Sequence, residues 1–204
     1  NHAIETVNFE EMKYACKAIE VTYIEACQRP ELIKSMETEK ASLIENKVFQ
    51  IVEKDEVPKG TTIKPSKFLH SLKTLPNGEV IYKSRLVGGG HRQIPNIDFD
   101  EVFASVVKKQ TIRILVAIAT KYDMIIYHAD CVTAYLNADI DKTLYVKLPD
   151  GRIAKLLKAL YGMKQSARQW QKHLLEIMKR FEYNRLVSDQ CVFTMRDANM
   201  LRLK

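Results

Sequence analysis

No two of the four cysteines, Cys16, Cys27, Cys131 and Cys191, form a C-x-x-C pair, and no histidine stands at zinc-finger spacing from them. That excludes a disulfide framework and a structural zinc site, and the cysteines read as reduced, mostly buried thiols of an intracellular protein. No run approaches the roughly 18 apolar residues of a membrane span, and the first residues carry no signal-peptide pattern. No membrane partner is implied. Internal repeats and low-complexity tracts are absent, and Gly88-Gly89-Gly90 lacks the Gly-Lys-Ser/Thr ending of a Walker loop. Those three glycines read as a flexible strand end or as a phosphate cradle.

What is present is positive charge. The 204 residues carry 32 Lys+Arg against 25 Asp+Glu, a formal net charge of +7. Such an excess suits a nucleic-acid groove that neutralises phosphates, or simply a soluble basic surface. The length allows one substantial core or two small ones. From Glu10 to Asn46 helix formers dominate, and Pro30 starts the second of two expected helices, Pro30 to Glu45. Val48 to Val52 reads as a short strand. Phe68 to Leu75 and Val80 to Val87 flank Pro76-Asn77-Gly78-Glu79, and Asn-Gly between β-rich runs is a strong hairpin cue. The second of these strands puts Lys83 and Arg85 on one face and apolar side chains on the other.

Further along, Ile112, Leu115, Val116, Ile118 and Ala119 form a helical stripe expected to face the core. An apolar strand, Met124 to Asp130, then delivers a carboxylate at its end, and Tyr135 follows in a short helix or turn at Ala134 to Asn137. An Asp so placed suits a metal better than packing, and oxygen ligands suit Mg²⁺ bound with a nucleotide's phosphates. Leu144 to Leu148 and Ile153 to Leu160 read as strands around Pro149-Asp150-Gly151. Ser166 is the expected N-cap of an amphipathic helix reaching Phe181, with Trp170, Leu174, Ile177, Met178 and Phe181 on one side. Val192 to Met195 and Met200 to Leu203 close the chain as a hairpin. Asp98, Asp100, Glu101, Asp139 and Asp141 read as solvated loop acids, and His91 and His128 as structural.

The ordered runs Tyr82-Lys83-Ser84-Arg85-Leu86-Val87, Thr111-Ile112-Arg113, Asp130 to Asn137, Leu160-Tyr161-Gly162-Met163-Lys164-Gln165-Ser166-Ala167-Arg168-Gln169-Trp170 and Ser188-Asp189-Gln190-Cys191-Val192-Phe193 resemble the reverse transcriptase of copia/Ty1-type retrotransposon Pol polyproteins. The resemblance implies an α+β, right-hand polymerase fold with fingers and a partial palm. It divides the chain into an N-terminal helical segment (1–46), a fingers-like part (47–123) and a partial palm (124–204). It implies two-metal nucleotidyl transfer, in which Asp130 and the Cys131 carbonyl hold Mg²⁺. Tyr135 takes the position that excludes a ribose 2′-hydroxyl, although its spacing alone fits a core aromatic equally well. Tyr161, Gly162 and Gln165 line the nucleotide, one of Lys83 and Arg85 meets the triphosphate, and Lys164 and Arg168 hold template phosphate or merely solvate a helix start.

The implied partners are an RNA or DNA primer-template, dNTP and the remainder of a Pol polyprotein. The implied setting is cytoplasmic virus-like particles and then the nucleus. Several positions depart from the family pattern. Gly89 replaces a Lys, Phe68 a Trp, Ser105 a Pro and Ala167 a Pro, and the aromatic-Val-Asp-Asp turn with the second carboxylate pair is not in the sequence. The chain by itself is therefore expected to be inactive, as a truncated piece or a decayed copy. The competing expectation is a nucleic-acid-binding remnant without catalysis.

Overall fold

In the computed structural model residues 16–75, 77–197 and 200–203 are described. They form a mixed α+β arrangement built on a six-stranded, mainly antiparallel sheet. The strands are β1 (Cys16–Ile19), β2 (Phe49–Val52), β3 (Lys64–Thr74), β4 (Val80–Gly88), β5 (Tyr145–Lys147) and β6 (Ile153–Leu156). β3 is the hub. Its C-terminal half lies between β1 and β4, and its first residues, Lys64 and Pro65, pair in parallel with β5. β6 and β2 complete the sheet, so strands from either side of position 123 share it. A second sheet joins β7 (Asn184–Arg185), β8 (Phe193–Asp197) and β9 (Met200–Leu203).

The β3–β4 hairpin forms as its turn chemistry predicts, with Gly78 at φ +81°. Lys83 and Arg85 point outward, whereas Ser84 and Leu86 are buried. On the inner face Ser84 lies opposite His70, with Oγ 2.8 Å from Nδ1. Burial holds the His70 pKa below its ordinary value. Helix α2 (Pro30–Glu45) starts at Pro30 as expected and packs Leu32, Met36 and Leu43 into the core beside β4.

The preceding stretch differs from expectation. Cys16–Ile19 is a strand rather than helix, and the first helix, α1, shrinks to the single turn Tyr23–Ala26, capped by a Thr22–Glu25 capping box. Pairing with an edge of β3 outweighs helix propensity there. The expected helix's earlier residues, Glu10 to Ala15, lie outside the described residues, as do Pro76 of the hairpin turn and Ala198 and Asn199 of the terminal one. The thiols also depart from expectation: Cys27 and Cys131 are exposed and Cys191 is half-buried, all three free.

Two further corrections concern the middle of the chain. Helix α3 (Lys109–Lys121) forms, but its expected core stripe is largely open, with Ile112 and Val116 each 48% exposed and only Ala119 buried. Met124 to Asp130 follows with no helix or strand, and Ile125, Ile126 and Tyr127 are exposed. A strand requires a neighbour for its amide groups, and the described residues offer this segment none.

Helix α4 (Ser166–Arg180) has Gln165 as N-cap residue, not Ser166. The Ser166 hydroxyl instead donates to the Leu160 carbonyl at 2.6 Å, tying the helix start to the chain leaving β6. Phe181, expected on the packed side, is exposed.

The N-terminus of α3 is held from a distance. Lys108 provides no side-chain cap. Asp189, from the loop before β8, accepts the Lys108 N–H at 3.0 Å and the Thr111 hydroxyl at 2.6 Å through Oδ2, and the Cys191 N–H at 3.0 Å through Oδ1. Its carboxylate also complements the positive end of the helix. These donors, the Thr111 hydroxyl foremost, lower the Asp189 pKa to about 2.

The unfolded carboxyl titrates near 3.9, so the unfolded chain binds the proton first. This contribution to stability is complete above about pH 4 and is lost as pH falls through about 2. Asp189→Asn should lower stability at neutral pH and flatten that part of the acid limb. Urea denaturation at a series of pH values from about 2 to about 7, spanning the native and the reference carboxyl titrations, measures both effects.

Candidate functional site

Two loops meet where β4 ends. The Gly88 N–H donates to the Tyr161 carbonyl at 2.8 Å and the Gly89 N–H to the Pro65 carbonyl at 2.7 Å. A Cβ on Gly90 would lie 2.1 Å from the Gly162 carbonyl oxygen, and one on Gly88 would lie 2.4 Å from Met163 Sδ. The triple glycine is therefore a packing surface. It is neither a loose strand end nor a phosphate cradle, because the Gly88 and Gly89 amides are already engaged. Gly162, at φ +83°, turns the opposing loop so that the two backbones can approach.

This contact places Tyr161 beside the outward face of β4. The Arg85 guanidinium lies 5.4 Å from the Tyr161 ring centroid, within cation–π range. Tyr135 also meets Tyr161, its ring centroid 4.9 Å from that of Tyr161 and tilted by 42°. A 3₁₀ turn, Ala134–Asn137, carries Tyr135, and the fully buried Leu136 pins that turn. Thr133 enters the turn at φ 52°, and the Asn137 side-chain amide donates back to its carbonyl at 3.1 Å. Tyr135 also borders a pocket lined by Val106, Trp170, Leu174 and Phe193.

Burial raises the Tyr161 hydroxyl pKa above its ordinary value. Arg85 pulls it back, while Glu39, Tyr135 and Asp130 push it further up. Four segments distant in sequence thus share one electrostatic environment: Arg85 on β4, Tyr161 after β6, Tyr135 on its turn and Asp130 at the end of the stretch without helix or strand. Asp130, Cys131 and Lys83 are exposed. Among the described residues no three His, Cys, Asp or Glu side chains group closely enough to hold a metal ion. The donors present do not fit a two-ion site, since Asp130 has no second carboxylate beside it in such a group.

Gln165 is fully buried. Its Oε1 accepts from Gln93 Nε2 at 2.9 Å, its Nε2 donates to the Asp98 carbonyl at 3.0 Å, and Gln93 Oε1 accepts the Lys164 N–H at 2.7 Å. These bonds engage the Gln165 side chain with Gln93 and the Asp98 backbone. Lys164 presents an exposed side chain. Arg168 pairs with Glu101 and donates to the Phe103 carbonyl at 3.4 Å.

Of the loop acids expected to be solvated Asp98 is buried, whereas Asp100, Glu101 and Asp139 carry ion pairs and stay exposed. Asp98 is buried against the fully buried Lys64, with Oδ2 2.6 Å from Nζ, and that same oxygen accepts the Ile94 N–H at 2.6 Å. The two charges meet off the hydrogen-bonding direction, so the contact is an ion pair without a well-formed hydrogen bond. Asp100 pairs with Lys142 at 2.8 Å, and Glu101 holds Arg168. Asp139 pairs with Lys158 at 2.6 Å while staying mostly in solvent. Asp98 and Lys64 escaped the sequence reading because each looks like a surface charge until the other is brought beside it.

The described residues form a mixed α+β domain, and the proteins it resembles in sequence are transposon Pol polyproteins. The chain is 35% identical over 178 residues to the retrovirus-related Pol polyprotein from transposon TNT 1-94 of Nicotiana tabacum, covering 83% of this chain and 13% of that protein. It is 34% identical over 122 residues to the Pol polyprotein from transposon RE1 of Arabidopsis thaliana (56% of this chain, 8% of that protein). It is 28% identical over 183 residues to that from transposon RE2 of the same plant (85% and 12%). The chain thus spans only about an eighth of the length of the tobacco relative. No solved structure matches. The model of the reverse transcriptase (RNA-dependent DNA polymerase) family matches residues 46–202, and the chain belongs to that family.

Removing one partner of a buried ion pair leaves the other charge uncompensated, at a cost of about 3 kcal/mol or more. Lys64→Met should therefore lower the unfolding free energy by about that amount. The double change Lys64→Met with Asp98→Asn leaves no bare charge and keeps an acceptor for Ile94, and should recover most of the loss in a urea double-mutant cycle. Gly90→Ala, which forces a methyl against the Gly162 carbonyl, should cost about 1–3 kcal/mol in the same assay.

Proposed function

We propose that the cluster of Arg85, Tyr161, Tyr135 and Asp130 is the deoxynucleotide pocket of a reverse transcriptase with a right-hand fold. In this reading α2 and the six-stranded sheet, β5 and β6 included, belong to the fingers, and the segment around Asp130 with α4 belongs to the palm. The observation that carries the reading is the convergence of a cation, two aromatic rings and an exposed carboxylate from four separate segments.

Each group has a chemical task there. Arg85 offers a fork of N–H donors to a phosphate, and its stacking on Tyr161 holds that fork in place. Of the two cations on the outward face of β4, Arg85 is the one assigned to the triphosphate, with Lys83 free to reach the template backbone. Tyr161 and Gly162 form the wall beneath the nucleotide, and Tyr135 bounds the sugar and excludes a 2′-hydroxyl.

Asp130 and the Cys131 carbonyl would be the residues to hold an Mg²⁺ ion bound with the nucleotide's phosphates, and that ion would supply charge stabilisation to phosphoryl chemistry. In this reading the residues described supply nucleotide binding, and primer-directed nucleotidyl transfer needs carboxylates beyond Asp130. The net charge of +7 favours an RNA or DNA primer-template as the second ligand, with Lys164 at the start of α4 as a phosphate contact. The setting is that of a retrotransposon particle in the cytoplasm, and afterwards the nucleus.

The charge also favours a second reading, a nucleic-acid-binding remnant without a nucleotide pocket. Binding of a fluorescent dNTP to the chain on a primer-template separates the two. Arg85→Ala and Tyr161→Ala should each weaken dNTP binding by about tenfold or more, the loss of one charge-assisted contact. Tyr135→Ala should narrow the preference for dNTP over rNTP. Salt-dependent binding of primer-template with no dNTP binding, indifferent to Asp130→Ala, would establish the remnant instead.

A further inference from the structure

Two edges of the main sheet differ. Along β4 the helix α2 closes the edge, with Glu39 Oε1 accepting the Leu86 N–H at 3.1 Å. At the other end of the sheet β2 pairs only with β6 among the described residues, so its far edge is open. The Leu157 N–H donates to the Val48 carbonyl at 2.8 Å, and that bond sets the phase of the ladder. Positions 48, 50 and 52 turn their backbone groups to β6, and Phe49 and Ile51 turn theirs outward. The next outward N–H, that of Glu53, is taken by Glu56 Oε2 at 2.6 Å. Phe49 and Ile51 thus present open backbone donors and acceptors, a template for another strand.

The side chains at this edge are apolar on the face that meets α2. Phe49 and Ile51 line a cavity of about 170 Å³ with Leu43, Ile44, Phe68 and Leu86, and Ile44 and Ile51 are themselves exposed. Edge strands are ordinarily kept from pairing by brevity or by charge. β2 is short, but the charges that flank it are of opposite sign, in the run Lys47-Val48-Phe49-Gln50-Ile51-Val52-Glu53. Lys47 and Glu53 are exposed, and neither side chain has an ion pair among the described residues.

Laid antiparallel against a second copy, about a two-fold axis through Gln50, this run is complementary to itself. Phe49 meets the partner's Ile51 and Ile51 meets the partner's Phe49, each pair exchanging both its hydrogen bonds. Val48 faces the partner's Val52, and at each end a Lys47 faces a Glu53 of opposite charge. A shift of one residue turns the open groups away from each other. A shift of two sets an open residue against Lys47 or Glu53, whose N–H groups are already engaged. Parallel pairing in register puts Lys47 beside the partner's Lys47. We propose that β2 is a self-association edge whose partner is a second copy of this chain, so that two main sheets join into one across an isologous interface.

The contact is short, so the association is weak. Sedimentation velocity of the full chain at concentrations up to about 1 mM, high enough to populate a weak complex, should show a concentration-dependent dimer. Lys47→Glu sets two carboxylates against each other at both ends, and Glu53→Lys does the same with two ammonium groups. Each should weaken dimerisation by about fivefold, and the two changes together, which restore opposite charges, should return most of the loss. Gln50→Cys puts two thiols on the axis, where Cα atoms of a non-bonded pair stand about 4.5 Å apart, within the reach of a disulfide. Oxidation by glutathione disulfide should then link two copies at that position, and peptide mass spectrometry tells this link from any through the exposed Cys27 and Cys131. Lys47, Gln50 and Glu53 are all exposed, so none of these changes touches the core. A chain that stays monomeric over the whole range overturns the proposal. So does a dimer that both single charge reversals leave at full strength, or one that gives no link through Gln50→Cys.

Discussion

Gly90 and Gly162 approach so closely that no side chain fits between them, and the placement of the cluster follows from that approach. Pairing of the hairpin β3–β4 with β1 and β5 anchors it in the sheet but does not by itself bring Arg85 to Tyr161. When its last residues dock on the loop of residues 161–163, the Gly88 N–H takes the Tyr161 carbonyl, and Tyr161 comes to lie under Arg85. The cation is supplied by one part of the chain and the ring by another, and only this backbone contact brings them together. Glycine here works by having no side chain, at positions where phosphate binding had been the alternative reading.

A buried polar network surrounds that contact and makes it specific. Lys64 and Asp98 form a charged pair under the start of β3, and Gln93 and Gln165 join the chain before α3 to the start of α4. A purely apolar junction would tolerate sliding of one loop on the other. A network whose donors and acceptors match in one register does not, because any shift leaves a buried polar group without its partner. Gln165 contributes to the cluster through this frame, by holding the loop that carries Tyr161.

What the sequence discloses and what it conceals divide along one physical line. The Asn77-Gly78 hairpin, the Pro30 start of α2 and the amphipathic α4 are specified by residues close together in the chain, and each forms where expected. The buried carboxylates are the opposite case. Glu39 meets its donor 47 residues away and Asp189 meets Thr111 across 78 residues, so nothing local marks either as more than a surface acid. For Glu39 one signal was readable: its place in the apolar stripe of α2. Cys16–Ile19 shows the same limit from the other side, since good helix formers become a strand once β3 offers an edge.

The uncovered face of the middle segment belongs to this argument. Ile112 and Val116 on α3, and Ile125, Ile126 and Tyr127 after it, have the composition of a core and lie in solvent, Tyr127 at 86% exposure. Apolar side chains so concentrated, beside backbone with no sheet partner among the described residues, are a surface that a folded protein ordinarily covers. That surface and Asp130 lie in solvent, whereas the sheet, the glycine contact and the buried network hold Arg85, Tyr161 and Tyr135. The proposed nucleotide pocket is therefore the part of the machinery that these residues build for themselves.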